Sequence, residues 1–179
     1  MNAQASKLTF VLGGSRSGKS RFAQGLPAKD VPVIYWATGL PIDSEMEERI
    51  VAHRQSRPGH WGLLEEPRDL LEGLKKLHRL GAKHVLLDSL TAWAGNIMVE
   101  DKSGGASDGV LEQLRIFLEE LTPSSMQFVI VSDEVGMGLV PDTAMGRRFR
   151  DLLGDANQVV AAASDRVYQV CAGIPLLLR

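Results

Sequence analysis

The sequence predicts one α/β domain: a mainly parallel sheet with helices on both faces and an antiparallel hairpin at its C-terminal edge. Three observations carry this reading. Short unbroken apolar runs alternate with segments of helical period, the pattern of strands covered on both faces and joined by crossover helices. The last two apolar runs are separated only by Gly173-Ile174-Pro175, too little chain for a crossover, so they pair antiparallel. The 179 residues suit a single domain, since domains commonly run to roughly 100–200 residues, and on this reading residues 1–179 form one unit.

Taken in order, Leu8–Leu12 (LTFVL) reads as a buried strand and Lys19–Leu26 as the first helix. Val31–Ala37 is a second strand with Pro32 near its start. Glu45 to about Gln55 is helical, and Ser44 with Glu47 has the S-x-x-E spacing of a capping box at its start. Leu70, Leu71, Leu74 and Leu77 form a helical stripe before Gly81. Val85–Leu87 is a third strand ending at Asp88. Val110–Leu121 places leucines and Phe117 at helical spacing, after a glycine-rich loop at Lys102–Gly109. Phe128–Val131 is a fourth strand leading into Ser132-Asp133-Glu134. Thr143 to about Ala163 is helical, and Arg166–Cys171 and Leu176–Leu178 are the closing strands. Gly39–Pro41 and Arg57–Gly62 read as loops.

Composition removes several function classes. Hydrophobic residues make up 44% and charged residues 23%, which excludes a disordered chain. Lys plus Arg is 20 and Asp plus Glu is 22, so the net charge is −2. That balance argues against a nucleic-acid binder working by phosphate neutralisation. A single cysteine, Cys171, excludes an internal disulfide and a cysteine zinc cage, and its place in an apolar run predicts a reduced, buried thiol. No window of about 18 residues is apolar and uncharged enough to span a bilayer. Leu8–Leu12 is too short for a signal-peptide core. The expected compartment is the cytoplasm.

Residues 13–20, Gly13-Gly14-Ser15-Arg16-Ser17-Gly18-Lys19-Ser20, fit G-x-x-x-x-G-K-[ST]. The chemistry demands these types. Glycines let the backbone turn with positive φ and aim several N–H groups at one phosphate. Lys19 can reach β- and γ-phosphate oxygens, and the Ser20 hydroxyl can ligate Mg²⁺. A chance match is the plain alternative, but a predicted strand before the motif and a predicted helix after it are what the mechanism requires. Arg16, inside the loop, is placed to touch phosphate, whereas Arg21 reads as solvated. A metal-side carboxylate belongs at the end of a neighbouring strand, where parallel sheets open their ligand crevice. Asp88 is the better match for Mg²⁺. The Asp133-Glu134 pair is the other candidate, with Glu134 as a second metal contact or a positioner of water or hydroxyl. A helix N-cap is the ordinary role for any of them.

Arg49 to Trp61 reads RIVAHRQSRPGHW. Met46, Ile50 and His53 lie at i, i+4 and i+7, so a partly buried structural histidine is one reading of His53. Arg54 and Arg57 follow it, and Pro58 ends the helix. Two guanidiniums beside an imidazole form an anion cradle and favour the neutral ring. A neutral imidazole can attack phosphorus to give a phosphoramidate. His60 is a second candidate in a loop; His78 and His84 read as surface residues flanking Gly81.

The ordered set GGSRSGKSRFA, YWATG, AHRQSRPGHW with EEP, LLDSLTAW, VSDEVGMGLVP, GRRFRDLLGDANQ and ASDRVYQVCAGIPL resembles the bifunctional adenosylcobinamide kinase / adenosylcobinamide-phosphate guanylyltransferase family from about Leu8 to Leu178. The resemblance implies a P-loop NTPase-type fold and a homotrimer. It implies phosphorylation of adenosylcobinamide by ATP or GTP, then transfer of GMP from GTP onto that phosphate through a guanylylated histidine at His53. It implies nucleotide contacts at residues 13–20, at Thr38, Gly39 and Leu40, at Arg54, Gln55, Ser56 and Arg57, at Glu65 and at Asp88. Mg²⁺ would sit on Ser20 and Asp88, and the acceptor is a corrinoid small molecule. Two other readings stay open at this point: a P-loop small-molecule kinase without guanylyl transfer, and a nucleotide-binding switch or ATPase module. Trp36, Trp61 and Trp93 are either corrinoid surface or core.

Overall fold

A computed structural model describes residues 7–41, 44, 47, 48, 51, 58–100 and 106–179. Its strands are β1 (Leu8–Gly13), β2 (Val33–Ala37), β3 (Gly62–Glu65), β4 (His84–Asp88), β5 (Gln127–Asp133), β6 (Arg166–Cys171) and β7 (Ile174–Leu177). The described helices are α1 (Lys19–Gln24), α2 (Leu70–Arg79), α3 (Leu90–Glu100), α4 (Ala106–Leu121) and α5 (Ala144–Ala163). The strands form one seven-stranded sheet in the order β3-β2-β4-β5-β1-β6-β7. Among the described residues, strands β1 to β6 run parallel and β7 alone is antiparallel, paired with β6. The predicted architecture is therefore present, with the hairpin at the expected edge.

Alternation along the strands divides the core in two, because successive side chains point to opposite faces. Phe10, Trp36, Leu87, Phe128 and Ile130 face one side, where leucines and aromatics of α2, α3, α4 and α5 cover them. Val11, Tyr35, Leu86, Val129 and Val131 face the other, packed with Ala23 and Phe22 of α1. Trp36 and Trp93 are fully buried, and each indole N–H donates to a backbone carbonyl at 2.8 Å, of Glu66 and Arg68 respectively. Both are core; Trp61 is half-buried.

Several expectations shift. β2 starts at Val33 because Pro32 has no N–H to give a ladder. Of the loop expected over Lys102–Gly109, residues 106–109 are instead helical in α4, since an established helix grows upstream at one hydrogen bond per residue fixed, and the rest lie outside the described residues. Two elements had no sequence expectation, β3 and α3. The closing turn sits one step earlier than expected. Ala172 (φ 50°) and Gly173 (φ 83°) make a two-residue hairpin turn, which leaves Ile174 and Pro175 in β7. Pro175 is tolerated there because β7 is the edge strand. Cys171 is exposed, contrary to the buried thiol expected, because it pairs with Ile174 at the open end of that edge hairpin. Of the helix expected over Glu45–Gln55, Glu47, Glu48 and Val51 are helical and the rest lie outside the described residues; Ser44, expected as its N-cap, is itself already helical.

Candidate active site at the C-terminal edge of the sheet

Parallel pairing brings the strand ends to one edge. Gly13 is level with Asp133 across β1 and β5, Ala37 with Asp88 across β2 and β4, and Ala37 with Glu65 across β2 and β3. The glycine-rich loop expected to bind phosphate leaves β1 at Gly13 and enters α1 at Lys19. Its turn needs Gly18 at φ 92° and holds Arg16 at φ 55°, a region sparsely used by side-chain-bearing residues. Gly13 has no room for a methyl group, since a Cβ there would lie 2.7 Å from the Val170 carbonyl oxygen and closer still to the Ser17 hydroxyl. The hairpin turn between β6 and β7 braces the loop from outside: Gly173 N–H donates to the Ser17 carbonyl at 2.8 Å. Ser15, Arg16 and Arg21 are exposed, and Gly14, Lys19 and Ser20 are partly so.

Lys19 Nζ forms an ion pair with Asp133 Oδ1 at 2.5 Å and donates to the Gly14 carbonyl at 3.3 Å. Asp133 is held through its backbone. Its N–H donates to Thr91 Oγ1 at 2.7 Å, and its carbonyl accepts from Asn157 Nδ2 at 3.1 Å. Ser132 Oγ donates to Asn157 Oδ1 at 2.7 Å, which fixes the way that amide faces. Asp88 Oδ2 accepts from the Tyr35 hydroxyl at 2.9 Å. Asp88 is not the N-cap of α3: Ser89 Oγ accepts from Ala92 N–H instead. Glu134 Oε1 accepts from the Gly136 N–H, so that carboxylate is turned into its own loop.

The remaining predicted positions divide. Thr38 is buried; its hydroxyl donates to the Ser89 carbonyl at 2.7 Å and accepts from Ser89 N–H at 2.9 Å, tying the end of β2 to the start of α3. Gly39 and Leu40 are half-buried just after it. Glu65 is exposed at the end of β3, the strand farthest from the phosphate loop on that side. Its neighbour Glu66 turns inward. Burial alone would raise the Glu66 carboxyl, but the hydrogen bond from Lys76, the amides of Asp69 and Arg68 and the Lys76 charge together hold it below its ordinary value. His60 is exposed in the turn before β3. His53, Arg54, Gln55, Ser56 and Arg57 lie outside the described residues.

Among the described residues no group of three or more His, Cys, Asp or Glu side chains could cage a metal. The donor set at this edge fits Mg²⁺ in another way. Mg²⁺ is usually held by one or two protein oxygens, with phosphate and water completing the octahedron. The Ser20 hydroxyl and the Asp88 carboxylate are donors of that kind. Sequence reasoning missed Tyr35, Thr91 and Asn157. Only Asn157 carried a signal, as a polar residue among Leu153, Ala156 and Val160 on the apolar face of α5.

The sequence profile of the family described as cobinamide kinase / cobinamide phosphate guanyltransferase matches residues 9–178. The chain is 39% identical over 171 residues to the bifunctional adenosylcobalamin biosynthesis protein CobP of Pseudomonas aeruginosa, covering 95% of this chain and 96% of that protein. It is 33% identical to the bifunctional protein CobU of Salmonella typhimurium and 34% identical to that of Escherichia coli, each over 96% of this chain and 99% of the relative. Among solved structures, a KaiC-like protein from Pyrococcus horikoshii superposes with a TM-score of 0.53 at 12% identity, over 91% of this chain and 70% of that one. That likeness bears on the fold alone. With a profile matched along nearly its whole length and relatives above 30% identity end to end, the chain belongs to the CobU family of cobinamide kinase / cobinamide phosphate guanyltransferases.

Proposed function

We propose that this transferase phosphorylates adenosylcobinamide with ATP or GTP and then transfers GMP from GTP onto the new phosphate through a guanylylated His53. The observation that carries the reading is Lys19 held over a glycine-shaped loop at the sheet edge where Asp88 and Asp133 also end. In the kinase step the corrinoid hydroxyl oxygen attacks the γ-phosphorus, its proton leaves, and the bond to the β-phosphate oxygen breaks. The amides of residues 13–20 and the Lys19 ammonium stabilise the charge on the transferring group, a matter mostly of positioning and electrostatics. Mg²⁺ bound by Ser20 and Asp88 would neutralise charge on the phosphate oxygens. In the second step a His53 ring nitrogen attacks the α-phosphorus and pyrophosphate leaves. The corrinoid phosphate then attacks that phosphorus and breaks the nitrogen–phosphorus bond, giving adenosylcobinamide-GDP.

Arg54 and Arg57 would offset charge on the nucleotide, with Gln55 and Ser56 beside them. Gly39, Leu40 and Glu65 would line the nucleoside side, and Thr38, buried beneath them, would hold the end of β2 to the start of α3. The protein is proposed to act as a homotrimer in the cytoplasm, without nucleic-acid or integral-membrane partners; no described helix is long and apolar enough to cross a membrane. Curated relatives named bifunctional weigh against both a kinase alone and a switch module. The test is incubation with α-labelled GTP and Mg²⁺. Acid-labile label on the wild type, lost in His53→Ala and discharged by adenosylcobinamide phosphate, is the expected result. Full labelling of His53→Ala, or none of the wild type, refutes the covalent route.

A further inference from the structure

The phosphate-loop lysine is not waiting in solvent. Two of the three Nζ donors are engaged within the protein, one on Asp133 Oδ1 and one on the Gly14 carbonyl. The ammonium is thereby folded back over the loop that would receive the phosphates. The pair is largely shielded, with side-chain exposures of 12% for Lys19 and 27% for Asp133. Salt and water therefore weaken it less than an ordinary surface pair.

Asp133 cannot move with the lysine. Its backbone is pinned on both sides, by Thr91 from α3 and Asn157 from α5, and Ser132 fixes the Asn157 amide. Ser132 and Asn157 are themselves buried, and burying hydroxyl and amide groups is costly unless each finds a partner. Here they partner one another and the backbone of one strand-end residue. That residue is level with Gly13, where the phosphate loop begins.

We propose that Asp133 is a positioning residue: it is the fixed counter-ion that parks Lys19 over the phosphate loop and opposes nucleotide binding. The inference rests on the nucleotide use of residues 13–20 proposed above. When a triphosphate arrives, Nζ turns from Asp133 to phosphate oxygens, and the Asp133 carboxylate stays behind. Binding then breaks one ion pair and leaves a negative charge near the entering phosphates. Both terms lower affinity and speed the departure of spent nucleotide.

The test is titration of the full chain with a fluorescent GTP analogue and with ATP as competitor, in EDTA so that divalent-metal binding does not enter. Asp133→Asn keeps the shape and the backbone hydrogen bonds and removes the charge. It is expected to tighten binding by about tenfold, the scale of removing one like charge within a few ångströms of an ionised group. Asp155→Asn, an exposed carboxylate on α5, should leave affinity unchanged. A merely structural role for Asp133 would weaken binding instead. Unchanged or weaker binding by Asp133→Asn, with normal wild-type binding, overturns the proposal, as does equal tightening by Asp155→Asn. Should Asp133→Asn not accumulate as folded protein, Asp133→Ser is read by the same titration. A wild type that binds neither nucleotide refutes the phosphate-loop reading itself, and this inference falls with it.

Discussion

Replacing Gly73 by alanine sets helix propensity against packing. In a helix interior alanine is favoured over glycine by about 1 kcal/mol. A Cβ at position 73 would lie 2.9 Å from Trp36 Cε2 and closer still to two other atoms of that ring, whereas carbon atoms settle at about 3.5–4.0 Å. The ring has nowhere to go. It is fully buried, its N–H is bonded to the Glu66 carbonyl, and Phe117 and Phe128 stand edge-on with centroids at 5.9 and 6.4 Å. Overpacking of this kind costs about 1–3 kcal/mol, and so short a contact belongs at the upper end. A ring displaced far enough to lose its hydrogen bond adds about 1 kcal/mol. After the propensity gain, the variant should be about 3 kcal/mol less stable. With a urea dependence of about 2 kcal/mol per molar, its unfolding midpoint should fall by about 1.5 M, read by far-ultraviolet circular dichroism. A midpoint at or above that of the wild type would refute the reasoning, because it would mean that the indole is free to yield.

Two further outcomes follow from charge and capping. Glu66 titrates below its ordinary value of 4.5 in the folded protein, so its contribution to stability is present above pH 4.5 and is lost as pH falls through the lower folded value. Glu66→Gln should therefore unfold at lower urea than the wild type at pH 7, and the gap should close as the pH is brought below 4.5; a gap that widens in acid contradicts the assignment. Thr143 Oγ1 accepts from the Gly146 N–H at 3.0 Å and caps α5, so Thr143→Ala should cost about 1 kcal/mol, while Thr143→Ser retains most of the stability.

The glycine–lysine loop of residues 13–20 could be placed between a strand and a helix from eight consecutive residues because its pattern is local. Glycine positions, a lysine and a hydroxyl follow one another, and the flanking strand and helix declare themselves by period. Asp88 and Asp133 could be placed at strand ends for the same reason. Which of them meets Lys19 could not, since that depends on β5 lying between β1 and β4. α3 escaped because LTAWAGNIMVE is apolar on nearly every side and shows no period. β3 escaped because it is four residues long and buries only Leu64. Cys171 is exposed despite its apolar run because such a run implies burial only when something covers both faces, and a hairpin edge is not covered.

Strand order has a consequence for synthesis. β1, the earliest of these seven strands in the sequence, is flanked by β5 and β6, so its hydrogen-bonding neighbours begin only at residues 127 and 166. The loop that follows it is braced from residue 173. A nascent chain can pair β2, β3 and β4 early, but β1 stays unpaired until β5 has been made and lacks its second neighbour until β6 follows. Arrested chains ending before residue 127 should hold only β3-β2-β4, and those ending between residues 133 and 166 should add β5 and β1 but leave the loop after β1 without its brace from residue 173.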